Sequence, residues 1–223
     1  MKVKIEKIKR WIGFIRCSIC LIGWHVRDML IKPWENAVCF VAHPDDEILF
    51  FYSFLKEKRP YVVVLTGCSS VHRLSSLKKT MKKLGLRFRA YPLDTDAASE
   101  QDIRRIIKHI FSQRNYDICA THNSEGEYGH PMHQRVHQAV ADIALCPVCV
   151  PASGSQIENY PLLLAQAEEK LSIFHTFYAS EDFVPTLFGK WIFNEHLVMY
   201  NCAASGKSRN SMLQIRKKVG ETQ

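Results

Sequence analysis

The stretch that decides the fold is Ala37-Val-Cys-Phe-Val-Ala-His-Pro-Asp-Asp-Glu-Ile-Leu-Phe-Phe51. Its first six residues form an unbroken apolar run, which reads as a strand buried on both faces. A second apolar pattern follows at once, and the spacing predicts a helix over Glu47–Lys58. Between the two stand His43, Asp45, Asp46 and Glu47. Burying charge is costly unless something pairs with it. An imidazole and three carboxylates at the mouth of a core therefore ask for a chemical reason.

Outward from this stretch, strand and helix patterns alternate. Tyr61-Val-Val-Val-Leu-Thr66 is a β-branched buried strand ending at Gly67. A basic helix is expected over Leu74–Leu84, with Gly85 as the left-handed residue that closes it. A short strand over Phe88–Pro92, a helix over Gln101–Arg114 and a strand over Tyr116–Thr121 follow. The pattern continues with a helix over His133–Leu145, a strand over Val148–Pro151 and a helix over Leu162–Phe177. Such alternation implies right-handed βαβ crossovers and an α/β fold: a Rossmann-like, doubly wound, mainly parallel sheet with helices on both faces. Chemistry in these sheets sits in the crevice at the carboxyl ends of the strands. The phosphate cradles G-x-G-x-x-G and G-x-x-x-x-G-K do not occur.

The chain has 223 residues and a net charge of +8, enough for one sizeable domain with a short appendage. The charge sits at the two ends. Residues 1–36 carry eight Lys/Arg against three acids, residues 207–223 carry five against one, and the rest is near neutral. No basic groove runs through the domain, so nucleic-acid binding is not expected. The cysteine pairs Cys17/Cys20 and Cys146/Cys149 are too far apart in sequence for a zinc finger. Cys39, Cys68, Cys119 and Cys149 fall in apolar runs, as small hydrophobes in a reducing compartment such as the cytoplasm do. Cys146-Pro-Val-Cys149 does not open a helix, where a dipole would activate a thiol.

Ahead of the domain, Ile5, Ile8, Ile12, Ile15, Ile19, Ile22 and Val26 alternate spacings of three and four, an apolar helical seam. The apolar stretch from Trp11 to Trp24 contains Arg16 and is too short to span a bilayer. Three roles for this amphipathic helix stay open: packing on its own domain, peripheral membrane contact through residues 1–30, or pairing with a partner helix.

A second polar cluster follows the Tyr116–Thr121 strand: Thr121-His-Asn-Ser-Glu-Gly-Glu-Tyr-Gly-His-Pro-Met-His133. The expected fold brings both clusters to one rim. His133 and His137 are four apart on the next helix and share a face, with Pro131 just inside its start. Imidazole and carboxylate without cysteine suit a catalytic zinc site, in which three protein ligands leave a position open for water. Adjacent aspartates then divide the work, one binding metal and one moving a proton. The same N,O donor set suits other divalent ions.

Ala42-His-Pro-Asp-Asp-Glu47 resembles the AHPDDE signature of the PIG-L/LmbE family of zinc-dependent de-N-acetylases, and Gly129-His-Pro-Met-His133 resembles the family's GHPDH motif. The likeness covers about residues 37–200. It divides the chain into an amphipathic helix (1–36), a PIG-L/LmbE-like catalytic domain (37–206) and a basic tail (207–223). The resemblance implies that His43, Asp46 and His133 bind Zn2+ and that Asp45 is the general base. It implies that His130, as imidazolium, and Tyr128 stabilise the oxyanion. Arg73 matches a substrate-contacting arginine in the loop after the second strand. The family's R-x-x-E acid is missing, since Ser76 stands there. Met132 replaces a common Asp and is expected to alter the pocket wall. Lys170 and Tyr178-Ala-Ser180 resemble segments near the family's carboxyl end.

The function implied is removal of acetyl from an N-acetylated amino sugar, such as an N-acetylglucosamine unit, or from a lipid-linked glycan. The alternative is a non-catalytic or membrane-associated glycan-binding protein on the same scaffold. The oligomeric state stays open.

Overall fold

A computed structural model describes residues 35–181 and 183–200. The amphipathic segment 1–30, the Cys17/Cys20 pair and the tail 207–223 lie outside the described residues. The first strand, β1 (Ala37–Val41), is buried at every position, as its continuous apolar run requires. It pairs in parallel with both β2 (Tyr61–Thr66) and β4 (Ile118–Thr121); Cys39 lies between Val62 and Ala120. Outside these lie β3 (Phe88–Leu93) and β5 (Val148–Pro151), and the sheet order is β3-β2-β1-β4-β5-β6. The last strand, β6 (Leu197–Tyr200), runs antiparallel along β5. This is the doubly wound architecture the alternating pattern predicts. The edge strand β6 is the addition.

The two faces of the sheet bury alternate residues of each strand. Cys39, Val41, Val62 and Val64 face one core, and Val38, Phe40, Val63 and Leu65 face the other. The first core is filled from α1 (Asp46–Lys58), α2 (Val71–Leu84) and α6 (Leu164–Phe177), through Phe51, Phe54, Leu77 and Phe174 among others. The second is filled from α3 (Glu100–Gln113) and α5 (Pro131–Ile143), the latter preceded by the one-turn α4 (Gly126–Gly129). Helix α3 shows the logic: Ile103, Ile107 and Ile110 recur at helical spacing and are fully buried. Its start is set by Ser99, whose Oγ accepts the Asp102 N–H at 3.1 Å. Gly85 closes α2 at φ 64, as its place in the sequence predicts. The second helix begins earlier than expected, because Ser70 caps it at the Arg73 N–H. Arg73 is therefore in the first turn of α2, not in the preceding loop.

One charged pair crosses the first core. Lys170 on α6 is completely buried, donates to the Trp191 carbonyl and faces the Glu195 carboxylate at 3.5 Å. The other Glu195 oxygen, Oε1, accepts the Ser53 N–H of α1 at 2.7 Å. Burial pushes the Lys170 amine down to about 8 and the Glu195 carboxyl up. Removing one partner of such a pair leaves an uncompensated buried charge. Lys170→Ala is therefore expected to cost about 3–5 kcal/mol of stability in urea unfolding. A double Lys170→Met, Glu195→Gln variant loses less, since neither charge is left buried.

Candidate active site

The sheet reverses its winding at β1, between β2 and β4, and the site forms beyond the carboxyl ends of these strands. Backbone hydrogen bonds tie the three ends together. The Ala42 carbonyl accepts the Thr66 N–H at 2.8 Å, and the Ala42 N–H donates to Nε2 of His122 at 2.9 Å. The chain then turns sharply into α1. Asp45 sits at φ 113, a region that residues with a Cβ rarely adopt, at a cost on the order of 1–3 kcal/mol. Glu47 holds it there. Its Oε2 accepts the Asp45 N–H at 2.9 Å, while its Oε1 accepts the Tyr178 hydroxyl. Burial pushes the Glu47 carboxyl up to about 7.

Three donor atoms meet at this turn. His43 Nδ1 lies 3.2 Å from Asp46 Oδ2, and His133 Nε2 lies 3.3 Å from each of them. A tetrahedral ion with ligands at about 2.0–2.1 Å has neighbouring ligands about 3.3 Å apart, so the triangle fits three corners of such a site. All three residues are buried. His133, 90 positions from His43, is thus brought together with His43 and Asp46.

The supporting residues decide which donors are available. His133 Nδ1 lies 2.7 Å from Glu127 Oε2, which fixes the ring and leaves Nε2 facing the triangle. The same carboxylate oxygen meets His122 Nδ1 at 3.0 Å. His122 stacks on His133 with ring centroids 3.8 Å apart. Two other donor groups have metal-like spacing among the described residues: Asp46 with His122 and His133, and His43 with His130 and His133. Each is weaker. His122 Nε2 already accepts the Ala42 N–H, and His130 Nδ1 accepts the Met132 N–H at 3.2 Å.

The cluster could hold a cation. Burial opposes ionisation of Asp46, but His133 and the hydrogen bonds from His133 and His43 outweigh it and hold the carboxyl well below the usual range. Burial also opposes charge on His133, yet Asp46 and Glu127 raise it to about 10. A proton on His133 thus supplies the positive charge in the chain alone, and a metal ion would displace it. Glu127→Gln removes the charge that orients His133. It should weaken metal binding by about 10–100-fold in a chelator-competition titration.

Beside the triangle opens a cavity of about 300 Å³. Its polar lining includes Asp45, Arg73, Thr95, His130 and Glu181, and its apolar lining includes Leu49, Phe183, Val184 and Phe188. Tyr128 is partly exposed there, and its ring packs on Phe188 at 4.5 Å. Nearby Asp46 and Asp45 add to burial in raising the Tyr128 phenol, which keeps it a proton donor. Burial pushes the Asp45 carboxyl well above the usual range against the pull of Arg73, whose Nη2 donates to Asp45 Oδ2 at 2.9 Å.

Two expectations are corrected by this geometry, those for His130 and for Met132. Burial, with His133 and His43 close by, pushes His130 down to about 4, so it is neutral rather than an imidazolium. With Nδ1 accepting from Met132, its proton sits on Nε2. Met132 does not form the cavity wall. It is 2% exposed and, from the first turn of α5, joins the second core. Ser76 bonds the His72 carbonyl instead of Arg73, and the acid beside Arg73 is Glu181, 3.2 Å from Nε. His122, Glu127 and Glu181 were not singled out by the sequence. The first two stand in the quoted polar run, but nothing in that run ranks them above Asn123, Ser124 or Glu125.

No family model matches the chain. It is similar to an uncharacterized protein of Acanthamoeba polyphaga mimivirus, 23% identical over 129 residues. That match covers 48% of this chain and 57% of the viral protein, so the chain spans little more than half the length of the relative it matches. Among solved structures it resembles a deacetylase triple mutant of the teicoplanin biosynthetic pathway, with TM-score 0.55 and 13% identity over 69% of this chain and 88% of that one. It also resembles GalB, the 4-carboxy-2-hydroxymuconate hydratase of Pseudomonas putida, with TM-score 0.50 and 13% identity over 70% and 82%. At such identities the likeness shows a shared fold. No helix of the described residues is long and apolar enough to cross a membrane.

Proposed function

We propose that this protein is a metal-dependent amide hydrolase that removes acetyl from an N-acetylated amino sugar or glycoconjugate. The observation that carries the proposal is the triangle of His43, Asp46 and His133 donor atoms with the Asp45 carboxyl at its side. The AHPDDE-like motif and the deacetylase fold relative support the same reading.

His43, Asp46 and His133 would hold the ion, zinc or another divalent metal, which supplies a Lewis acid and an acidified water. Asp45 takes the proton of the attacking water as the new C–O bond forms on the amide carbonyl. Arg73 holds the Asp45 carboxyl in place, and the Glu47 contact holds its backbone. The Nε2–H of His130 and the hydroxyl of Tyr128 line the cavity as donors for the oxyanion that develops. The proton on Asp45 then passes to the amide nitrogen as the C–N bond breaks, leaving acetate and a free amine.

The experiment is acetate release by the zinc-loaded protein from a panel of N-acetylated sugars, nucleotide sugars and lipid-linked glycans. Release from at least one is the expected result. No release from any of them, with metal bound, overturns the proposal and favours a glycan-binding protein on the same scaffold.

A further inference from the structure

Arg73 faces the cavity, and an arginine in a sugar-sized cavity commonly serves as a fork for a phosphate or carboxylate. Here the fork is already engaged. Nη2 donates to both the Pro44 carbonyl at 3.1 Å and Asp45 Oδ2 at 2.9 Å. Nε faces Glu181 Oε1 at 3.2 Å, an ion-pair contact not aligned as a hydrogen bond. Nη1 passes close over Gly67: a Cβ built there would lie 3.4 Å from it. The guanidinium is therefore flanked by two carboxylates, and only Nη1 is left to a ligand.

Glu181 comes from the 3-10 turn Ala179–Glu181 that follows α6, while Arg73 belongs to α2. Its side chain is 13% exposed and lines the same cavity. A carboxylate in that position repels an anion and accepts from a hydroxyl. Thr95 adds a second hydroxyl-scale partner in the same lining.

The geometry points to Glu181 as the residue that sets the charge preference of the cavity: it converts Arg73 from an anion fork into a single donor. The substrate group beside Arg73 is then a neutral hydroxyl, not a phosphate or carboxylate. This inference rests on the hydrolase reading of the same cavity, because it names the chemistry of the substrate next to the reacting amide.

The test compares N-acetylglucosamine with its 6-phosphate, using the metal-loaded full chain as wild type, Glu181→Gln and Glu181→Asp. Binding is measured by calorimetry and acetate release is followed in parallel. A divalent ion attracts phosphate equally in all three proteins, so the decisive quantity is the ratio of the two affinities. In Glu181→Gln this ratio should shift toward the phosphate by about tenfold, the scale of one partly screened unit charge at this range. Glu181→Asp keeps the acid and should keep the wild-type ratio. An unchanged ratio in Glu181→Gln, or no binding of either sugar, overturns the inference. Acetate release with an unchanged ratio would sink the role of Glu181 and leave the hydrolase standing. A shifted binding ratio with no acetate release from any protein would do the reverse.

Discussion

Asp45→Asn lowers turnover by about 10²–10⁴-fold, the usual contribution of a positioned general base, while metal affinity stays near wild type. The expectation comes from a division between neighbours. Asp46 Oδ2 is surrounded by the nitrogens of His43, His122 and His133, which hold it ionised. Asp45 lies beside the triangle and meets Arg73 instead of the histidines, and burial raises its carboxyl above the usual range. On the proposed reading one carboxylate serves as the anion for a cation and its neighbour as the proton acceptor. The amide of asparagine keeps the shape and can still meet the arginine, but it cannot accept the proton. Metal content by elemental analysis and turnover by acetate release check the two halves separately. Loss of metal in this variant would show that Asp45 is a ligand, and undiminished turnover would rule it out as the base.

The second large effect is at His133. His133→Ala removes one corner of the donor triangle and the partner of the buried Glu127 carboxylate. Metal affinity should fall by more than the roughly 10–100-fold typical of losing an orienting partner, and activity should vanish with it. The readout is the rise in melting temperature on adding zinc. Ligand at about 100 times its dissociation constant stabilises the folded state by about 2.7 kcal/mol, so wild type should shift clearly and the variant should not. Chelator should abolish wild-type activity, and zinc should restore it. Restoration in His133→Ala as well would show that the metal does not need His133, and would overturn its place in the donor triangle, since every candidate donor group among the described residues includes it.

Much of this architecture is legible because its cues are local. A strand buried on both faces is an unbroken apolar run, and β1 and β2 read that way. Helix ends carry their own signals, such as Gly85 after α2 and Pro131 at the start of α5. The donor residues are legible for the same reason: in a doubly wound sheet the reactive positions follow strand ends, so polar runs after β1 and β4 mark the site. The helix-start shift at Arg73 and the burial of Met132 were less visible. The first depends on which serine caps, and the second on which way the first turn of α5 faces.

The alternation of strands and helices, the two polar clusters and the residue types able to hold a divalent ion can all be read along the chain. How those residues are charged and held depends on the fold. Tyr178 reaches Glu47 across 131 positions of chain, and Glu181 reaches Arg73 from an element whose sequence carries no mark of it. Glu127 orients His133 because both are buried at one point, and His130 is neutral because burial and two neighbouring histidines disfavour its charge. Periodicity and propensity are properties of a segment. Desolvation and Coulomb energy depend on distances between segments, and those exist only once the chain has folded.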